Sequence, residues 1–543
     1  MSALGRARAL FVMPVRSGPN GSGRATLLVV LALSIAVCAI TLSRHAWTAS
    51  GADASGYVSQ ADLWRRGSLV VPQPLASGAP WGDREWPLAP LGYRPALTPD
   101  AIVPTYPAGL PLTLAAAQLF GGRDAAFVVV PLVAGLGIWF TFLLGRQAGG
   151  DATGLVAAVL LAVCPIYLRQ STQVMSDVPA AVWWTLALVL AQYRDTRDPS
   201  EGAASARTAL AASFGAGLAA SLAIATRPNL APLGLVVLLA TVLTPATARV
   251  KRVLALAAGA LPGCLLIALV HTWLYGSPLR SGYGSNADLY ALGNVAQNAR
   301  LYTAWLVDGQ TAMLLLTFLA LLFPARAQWS LWLTIVVVIA CYLPYAVFED
   351  WWYIRFLLPA FPAAFVLMAL GLVSAARRLP RVLGRPALVA AVCALVMISA
   401  ARTRATQSLD LARDERRYAV IADVLRTTVP SASAFISMQH SGSIHYYLDR
   451  PIVRWELVPP DQLDASIGYL RSRGLHPYIL LDSWEAPRFR DRFAHTSTVG
   501  QLDWPPMLEL RSPTPVRLFD PTDRDKYFAG AQVPTRLVFP PRR

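Results

Sequence analysis

Two aspartates and two arginines flank long apolar runs of this sequence. Asp53 follows the first run by about ten residues, in DASGYVSQADLW, and Asp177 stands at the start of another, in SDVP. Arg227 lies in TRPN and Arg355 in WWYIRFLLPAFP. A carboxylate at the edge of an apolar phase is partly stripped of water, which suits a general base. A guanidinium binds phosphate through two parallel hydrogen bonds. With only Glu349 and Asp350 as obvious acidic partners, the two arginines would suit an anionic ligand such as a phosphate or diphosphate at headgroup level. Each residue also has a plainer reading. Ser176 or Asp177 can cap the helix that begins at Val178, and Asp53 can be a solvated loop acid or cap the segment 54–66. An arginine at the end of a span can simply snorkel. The cluster Trp351, Trp352, Tyr353 and Phe356 reads first as an interfacial belt, and second as a flank for a lipid tail or a sugar ring. His271, alone in an apolar run, reads as a hydrogen-bonded interior residue before it reads as a ligand.

The elements that must position these residues are membrane spans. The chain has 543 residues, 55% hydrophobic and 14% charged, against about 25% charged in a soluble globular chain. Apolar runs recur at 25–43, 125–145, 153–171, 178–193, 208–225, 230–244, 253–275, 311–324, 330–348, 355–374 and 386–401, which predicts about eleven transmembrane helices. The net charge of +16 is carried largely by short loops between these runs, a topology signal rather than a nucleic-acid footprint. The basic loops are the N-terminus (Arg6, Arg8, Arg16, Arg24), Arg194/Arg197/Arg207, Arg249/Lys251/Arg252 and Arg377/Arg378/Arg381/Arg385. They share one side if the spans alternate, and the positive-inside rule makes that side the cytoplasm. Residues 1–24 are then cytoplasmic, and the first span is read as uncleaved. Outside lie 44–124, 172–177, 226–229, 276–310, 349–354 and the tail from 402.

Three features refine this plan. The segment 107–121 (PAGLPLTLAAAQLFG) is too short for a comfortable span and reads as a re-entrant or interfacial helix on the outer side. The first outer loop is rich in proline and tryptophan, which predicts irregular backbone at headgroup level, with 54–66 as an amphipathic surface helix. The tail 402–543 turns charged and mixed. It predicts helices at Asp410–Thr427, Asp461–Arg473 and Trp484–Phe493 and buried strands at Ala434–Met438 and Tyr478–Leu481, a small α/β domain. Cys38, Cys164, Cys264, Cys341 and Cys393 all lie in apolar runs without a CxxC pair, so disulfides and zinc sites are not expected.

The order of these motifs resembles the GT-C superfamily of polytopic glycosyltransferases, and most nearly the family that includes protein O-mannosyltransferases and the lipid A aminoarabinose transferase. Four stretches carry the resemblance: Asp53 after the first span, TYPAGLPLTLAAAQLFG, SDVPAAVWWTLAL and RFLLPAFPAAFVLMALGL. Together they cover roughly 25–375. The resemblance implies a sugar donor on a polyprenyl phosphate, a helix bundle (25–401) with a cavity opening outward, and an extracytoplasmic C-terminal domain (402–543). It implies Asp53 as the base that deprotonates an acceptor hydroxyl, with inversion at the anomeric carbon, and Asp177 as a supporting catalytic residue. Arg227 and Arg355 would bind the leaving lipid phosphate, and Tyr57, Tyr106 and Tyr283 would contact substrate. Many members carry two adjacent acids after the first span, whereas Ala54 follows Asp53 here. That departure weakens the assignment of a divalent metal, for which Asp53 and Asp177 are the candidates. The 276–310 loop is too short for the lumenal domain of eukaryotic O-mannosyltransferases, so an O-mannosyl acceptor is not implied. The implied setting is a bacterial inner membrane, and the acceptor could be a glycan, lipid or protein. The competing readings are a transporter or flippase of a lipid-linked precursor and a catalytically silent scaffold. Transporters place ionisable residues near the bilayer midplane, whereas here the acids gather at span ends.

Overall fold

The computed structural model describes residues 22–193, 202–245, 248–325 and 328–540. The basic residues Arg6, Arg8, Arg16, Arg194 and Arg197, part of the orientation argument, lie outside the described residues. The chain is a polytopic helix bundle with a small C-terminal sheet domain.

The bundle helices are α1 (Ser22–Ser43), α2 (Asp53–Arg66), α3 (Gly109–Gly121), α4 (Ala126–Gly149), α5 (Asp151–Ala162), α6 (Pro165–Ser171), α7 (Asp177–Ala191), α8 (Gly202–Thr226), α9 (Leu233–Leu243), α10 (Arg249–Tyr275), α11 (Asn286–Leu289), α12 (Asn294–Gln310), α13 (Gln328–Tyr342), α14 (Phe361–Arg378) and α15 (Arg381–Ala405). Ala312–Leu322 and Trp351–Ala360 are 3₁₀ helices. Among the described residues, six helices are long and apolar enough to cross a membrane, or eight if each bent pair counts as one span. One bent pair is α5 and α6, which turn by 63° at Val163–Cys164. Pro165 drives Cys164 into an extended conformation there, as a residue before proline prefers. The other is α12 and the 3₁₀ helix after it, bent by 97° at Thr311, whose φ is positive. Every run read from the sequence meets a helix. Three of these helices, α7, α9 and α13, are shorter than a comfortable span, and on them the count of about eleven depends.

Burial sorts the spans. In Arg123–Gly149 and Trp351–Arg378, 78% and 89% of the most apolar stretch is buried, against 22% in α1, 28% in α10 and 17% in α15. The first two are the centre of the bundle. The rim helices turn Leu28, Ile35, Leu254, Leu269, Val389 and Met397 outward, as lipid contact demands. α8 and α10 meet through Gly217, Gly259 and Gly263, where an added methyl would strike the opposing backbone, the close approach that small residues permit between membrane helices.

α3 has 13 residues, about 20 Å of helix against a core of about 30 Å, so it is too short to cross. The loop before it is more ordered than its composition suggests. β1 (Val71–Pro72), β2 (Tyr93–Pro95) and β3 (Ala101–Pro104) form an antiparallel sheet in the order β1-β3-β2. α2 is not the expected surface helix: Ala54, Tyr57, Val58 and Ala61 are at most 3% exposed. α3 covers one side of it, and the C-terminal domain packs against it through α17 (Ser441–Leu448).

The C-terminal domain holds a six-stranded sheet in the order β5-β4-β6-β8-β7-β9. Its strands are β4 (Ser433–Ile436), β5 (Ile452–Val453), β6 (His476–Asp482), β7 (Leu508–Leu510), β8 (Val516–Phe519) and β9 (Arg536–Val538). β4, β5 and β6 run parallel, and β8 is antiparallel to β6. Side chains alternate between two cores. Ala434, Ile436, Ile479 and Leu481 face α18 (Leu463–Ser472), α19 (Glu485–Phe493) and Trp81 of the first loop. Phe435, Tyr478 and Leu480 face α16 (Leu411–Thr428). The expected strands and helices of the tail are present within a few residues. α17, β7 to β9 and α20 (Pro521–Phe528) are additions. All five cysteines are free.

Candidate active site

Asp53 is the first residue of α2 and makes no cap hydrogen bond. The segment before it is tied to the C-terminal domain. The Tyr447 hydroxyl accepts the Ala49 N–H at 2.9 Å, and the Leu91 N–H reaches Ser441 Oγ at 3.0 Å. A methyl on Gly442 would strike Ser55 Oγ and lie 2.6 Å from the Leu91 carbonyl. On the other side, a methyl on Gly56 would enter the Tyr106 ring. That bare glycine lets Tyr106 lie flat on α2 and donate its hydroxyl to Asp53 Oδ1 at 2.7 Å. Burial first, then the Asp53 charge, hold the Tyr106 hydroxyl well above the ordinary tyrosine value, so it stays a donor. The other oxygen, Oδ2, accepts from Arg355 Nη2 at 2.9 Å.

Asp177 opens α7 and is fully buried. Neither it nor Ser176 caps the helix through its side chain. Both turn to Arg227 instead. Arg227 follows α8 outside the helical conformation, with Pro228 after it. Its Nη2 meets Asp177 Oδ1 at 2.8 Å, its Nε donates to Ser176 Oγ at 3.0 Å and its Nη1 donates to the Tyr342 hydroxyl at 2.9 Å. The Tyr57 hydroxyl also donates to Ser176 Oγ, at 2.8 Å. Arg355 Nε stands 3.9 Å from Asp177 Oδ1, so Arg355 bridges the two acids. Phe356 stacks on Tyr342 with ring centroids 5.0 Å apart, and both guanidiniums lie over the Phe356 face. The arginine partners are therefore Asp177 and Asp53, not Glu349 and Asp350. Folding brings α2, α7, α8 and the 3₁₀ helix Trp351–Ala360 to one place from distant parts of the chain.

These groups border a cavity of about 830 Å³. Asp53, Tyr57, Ser176, Arg227, Tyr342, Tyr353, Arg355 and Phe356 form one wall. Pro228, Ile267, His271, Leu279, Tyr283, Tyr290 and Cys341 form a less polar one. Tyr283 thus reaches the cavity, with its ring edge on Tyr106. Tyr106 and Asp177 stand behind the lining. Trp351 and Trp352 flank Arg169, with centroids at 5.4 and 5.5 Å. Tyr342 and Ser176's role as an acceptor were not found from sequence. A hydroxyl inside the apolar run 330–348 was the available signal for Tyr342. Among the described residues, no three His, Cys, Asp or Glu side chains converge as a metal would need. With a guanidinium between them, Asp53 and Asp177 are a poor donor set for a divalent cation.

No family model matches the chain, and no curated protein matches its sequence. Solved structures do match. ArnT from Cupriavidus metallidurans bound to undecaprenyl phosphate is 13% identical, with a TM-score of 0.56 over 91% of this chain and 97% of that one. ArnT in the apo state gives 12% identity and a TM-score of 0.56 over 92% and 98%. The Archaeoglobus fulgidus oligosaccharyltransferase in the apo form gives 13% and 0.54 over 86% of this chain and 70% of that one. The bundle and its docked C-terminal domain together share the fold of these structures.

Proposed function

We propose that this chain is a glycosyltransferase that moves a sugar from a polyprenyl-phosphate donor to an acceptor hydroxyl, with inversion, at the extracytoplasmic face of a bacterial inner membrane. One observation carries the reading: a carboxylate and two arginines share one wall of a cavity within an apolar bundle. The fold neighbours support it, since one is bound to undecaprenyl phosphate and another structure of the archaeal enzyme holds a dolichol-phosphate.

In this reading Asp53 takes the proton of the acceptor hydroxyl, and the oxygen attacks the anomeric carbon. The bond from that carbon to the phosphate oxygen breaks, and the polyprenyl phosphate leaves with the electron pair. Arg227 and Arg355 receive the negative charge, and pre-placed cations of this kind supply much of the rate in charge-developing reactions. Asp177 orients both arginines. Tyr106 orients Asp53, Tyr57 holds Ser176 beneath Arg227, and Tyr283 contacts substrate. The donor's tail stays in the bilayer, because removing it costs about 0.8 kcal/mol per CH₂. The basic loops put the N-terminus in the cytoplasm. The C-terminal domain docks on the same loop that carries Asp53, in keeping with its placement outside.

The test needs no knowledge of sugar or acceptor. A strain lacking the protein accumulates a polyprenyl-phosphate sugar, and the wild-type gene clears it. Asp53→Asn, inserted at normal levels, leaves the accumulation in place, since loss of a general base costs about 10²–10⁴ in rate. Clearance by Asp53→Asn would overturn the mechanism.

A further inference from the structure

The two arginines are held differently. Each of the three Arg227 nitrogens has a strong partner: Ser176, Tyr342 and Asp177. Arg355 makes one strong hydrogen bond, to Asp53 Oδ2, and a weak one to Met175 Sδ at 3.9 Å. Its Nε is buried without a hydrogen-bond partner. Arg227 is a fixed cation, and Arg355 is one with donors to spare. Asp53 is the mirror case. Tyr106 donates to Oδ1 and Arg355 to Oδ2, so both oxygens are engaged and Oδ2 shares its charge with a guanidinium, although each oxygen keeps a second lone pair.

We infer that Asp53 and the donor phosphate compete for the Arg355 guanidinium, so that phosphate binding releases Asp53 Oδ2 to receive the acceptor's proton. The inference rests on the transferase reading and adds its order of events. A phosphate presents several oxygens to a guanidinium in paired hydrogen bonds. Arg355 can turn toward one using Nε and Nη2, the nitrogen now spent on Asp53. Arg227, locked by three partners, marks the phosphate's place without moving. The Asp53 charge is thereby shared with Arg355 until the leaving group's cation is engaged. Thermodynamic reciprocity makes this measurable from the other side. If phosphate weakens the Asp53–Arg355 pair, then the pair weakens phosphate binding.

The experiment measures binding of undecaprenyl phosphate to the full-length protein in nanodiscs. Asp53→Asn is nearly isosteric and can keep the Tyr106 contact. It should bind the lipid phosphate about tenfold tighter than wild type, within the usual range of coupling between sites. Asp53→Asn combined with Arg355→Ala should lose that gain. Tyr106→Phe, which frees Oδ1 but leaves the Arg355 pair, should bind like wild type. Equal or weaker binding by Asp53→Asn would overturn the competition while leaving the transferase reading intact, provided wild type binds the lipid phosphate. Failure of wild type to bind it, together with no lipid-linked sugar accumulating in the deletion strain, would overturn both.

Discussion

The cavity network has a near twin in the C-terminal domain. There Asp482, fully buried at the end of β6, accepts from Arg417 Nη2 at 3.0 Å and Nε at 3.3 Å, from Trp484 Nε1 at 3.2 Å, and pairs with His440 Nε2 at 2.8 Å. Arg417 also reaches Asp414 at 2.7 Å and the Tyr418 hydroxyl at 2.9 Å. Gln439 donates to that hydroxyl at 2.7 Å. Both regions are built on aspartate, arginine and tyrosine. They differ in what is left over and where it points. Asp482 uses both oxygens. Asp177 uses one and leaves Oδ2 buried without a partner, while the spare Arg355 Nε lies 3.9 Å from its other oxygen. His440 Nδ1 also lacks a partner, but its ring is fully enclosed, whereas Asp53 and Arg355 open on a cavity. Residue type does not separate a scaffold from a site. A cavity beside one network and a closed interior around the other is what distinguishes them.

The sharpest way to break this contrast is to remove one acid from each network. Asp482→Ala takes from buried Arg417 the acid that two of its nitrogens reach, leaving Asp414 and Glu415 as its acidic neighbours, and strips His440 of its partner. Loss of one partner from a buried pair costs about 3–5 kcal/mol, so urea-dependent proteolysis of the C-terminal domain should shift to much lower urea. If Asp53 is the base, Asp53→Ala should abolish transfer yet cost about 1 kcal/mol or less by the same measure, because Asp53 is 30% exposed and solvent screens the pair. Equal losses of stability would erase the distinction between the two regions.

A smaller effect comes from Glu485, which caps the closed network. It accepts from the Gln439 N–H, the Asp482 N–H and Trp455 Nε1. Burial, the largest influence, pushes its carboxyl up to about 7 from an ordinary value of 4.5. The folded domain then keeps this proton over a range where the unfolded chain has lost it. The contribution of Glu485 to stability is greatest below about pH 4.5, declines as pH rises toward 7, and is gone above that, a change of at most about 3 kcal/mol. Asp482, which burial alone would raise but His440 and Arg417 hold at about 2, adds no slope in this window. Proteolysis across pH 4.5–8 should show a decline that is shallower in Glu485→Gln than in wild type, the remaining slope coming from Glu415, Glu456 and His445. A wild-type profile that rises through this range would have the opposite sign and exclude Glu485 as its cause.

The contrast also shows what could be read in advance. Asp53, Asp177, Arg227 and Arg355 were legible because charge at the end of an apolar run is costly and therefore informative. Their pairing was not. The partners of Arg355 lie about 300 and 180 positions away along the chain, and only the packing of α2, α7 and α8 on the Trp351–Ala360 helix brings them together. Glu349 and Asp350 were nearer in sequence and wrong. Burial of α2 failed for a similar reason: its polar residues Ser55, Ser59 and Gln60 suggest a wet face, and nothing local reveals that α17 covers it. In the tail, β4 and β6 stood out as continuous apolar runs. β7 and β9 were too short to show a period.

The finest test compares two tyrosines. Tyr418 belongs to the closed network and Tyr57 to the cavity wall, and each gives its hydroxyl to a polar neighbourhood that includes an arginine. Tyr418→Phe removes an acceptor shared by Arg417 and Gln439, so its cost should be read in stability alone. Tyr57→Phe removes one hydrogen bond to Ser176, worth about 1 kcal/mol, and keeps the ring contact with Tyr106, whose centroid is 4.5 Å away. Ser176 then holds Arg227 Nε less firmly, while Asp177 and Tyr342 still hold the other two nitrogens. If Arg227 marks the place of the donor phosphate, the loss falls on donor binding: KM for the lipid-linked sugar should rise about fivefold with kcat little changed. A Tyr57→Phe protein that transferred normally but unfolded as early as Tyr418→Phe would make the cavity wall a second scaffold, and the spare atoms of Asp177 and Arg355 would need another explanation.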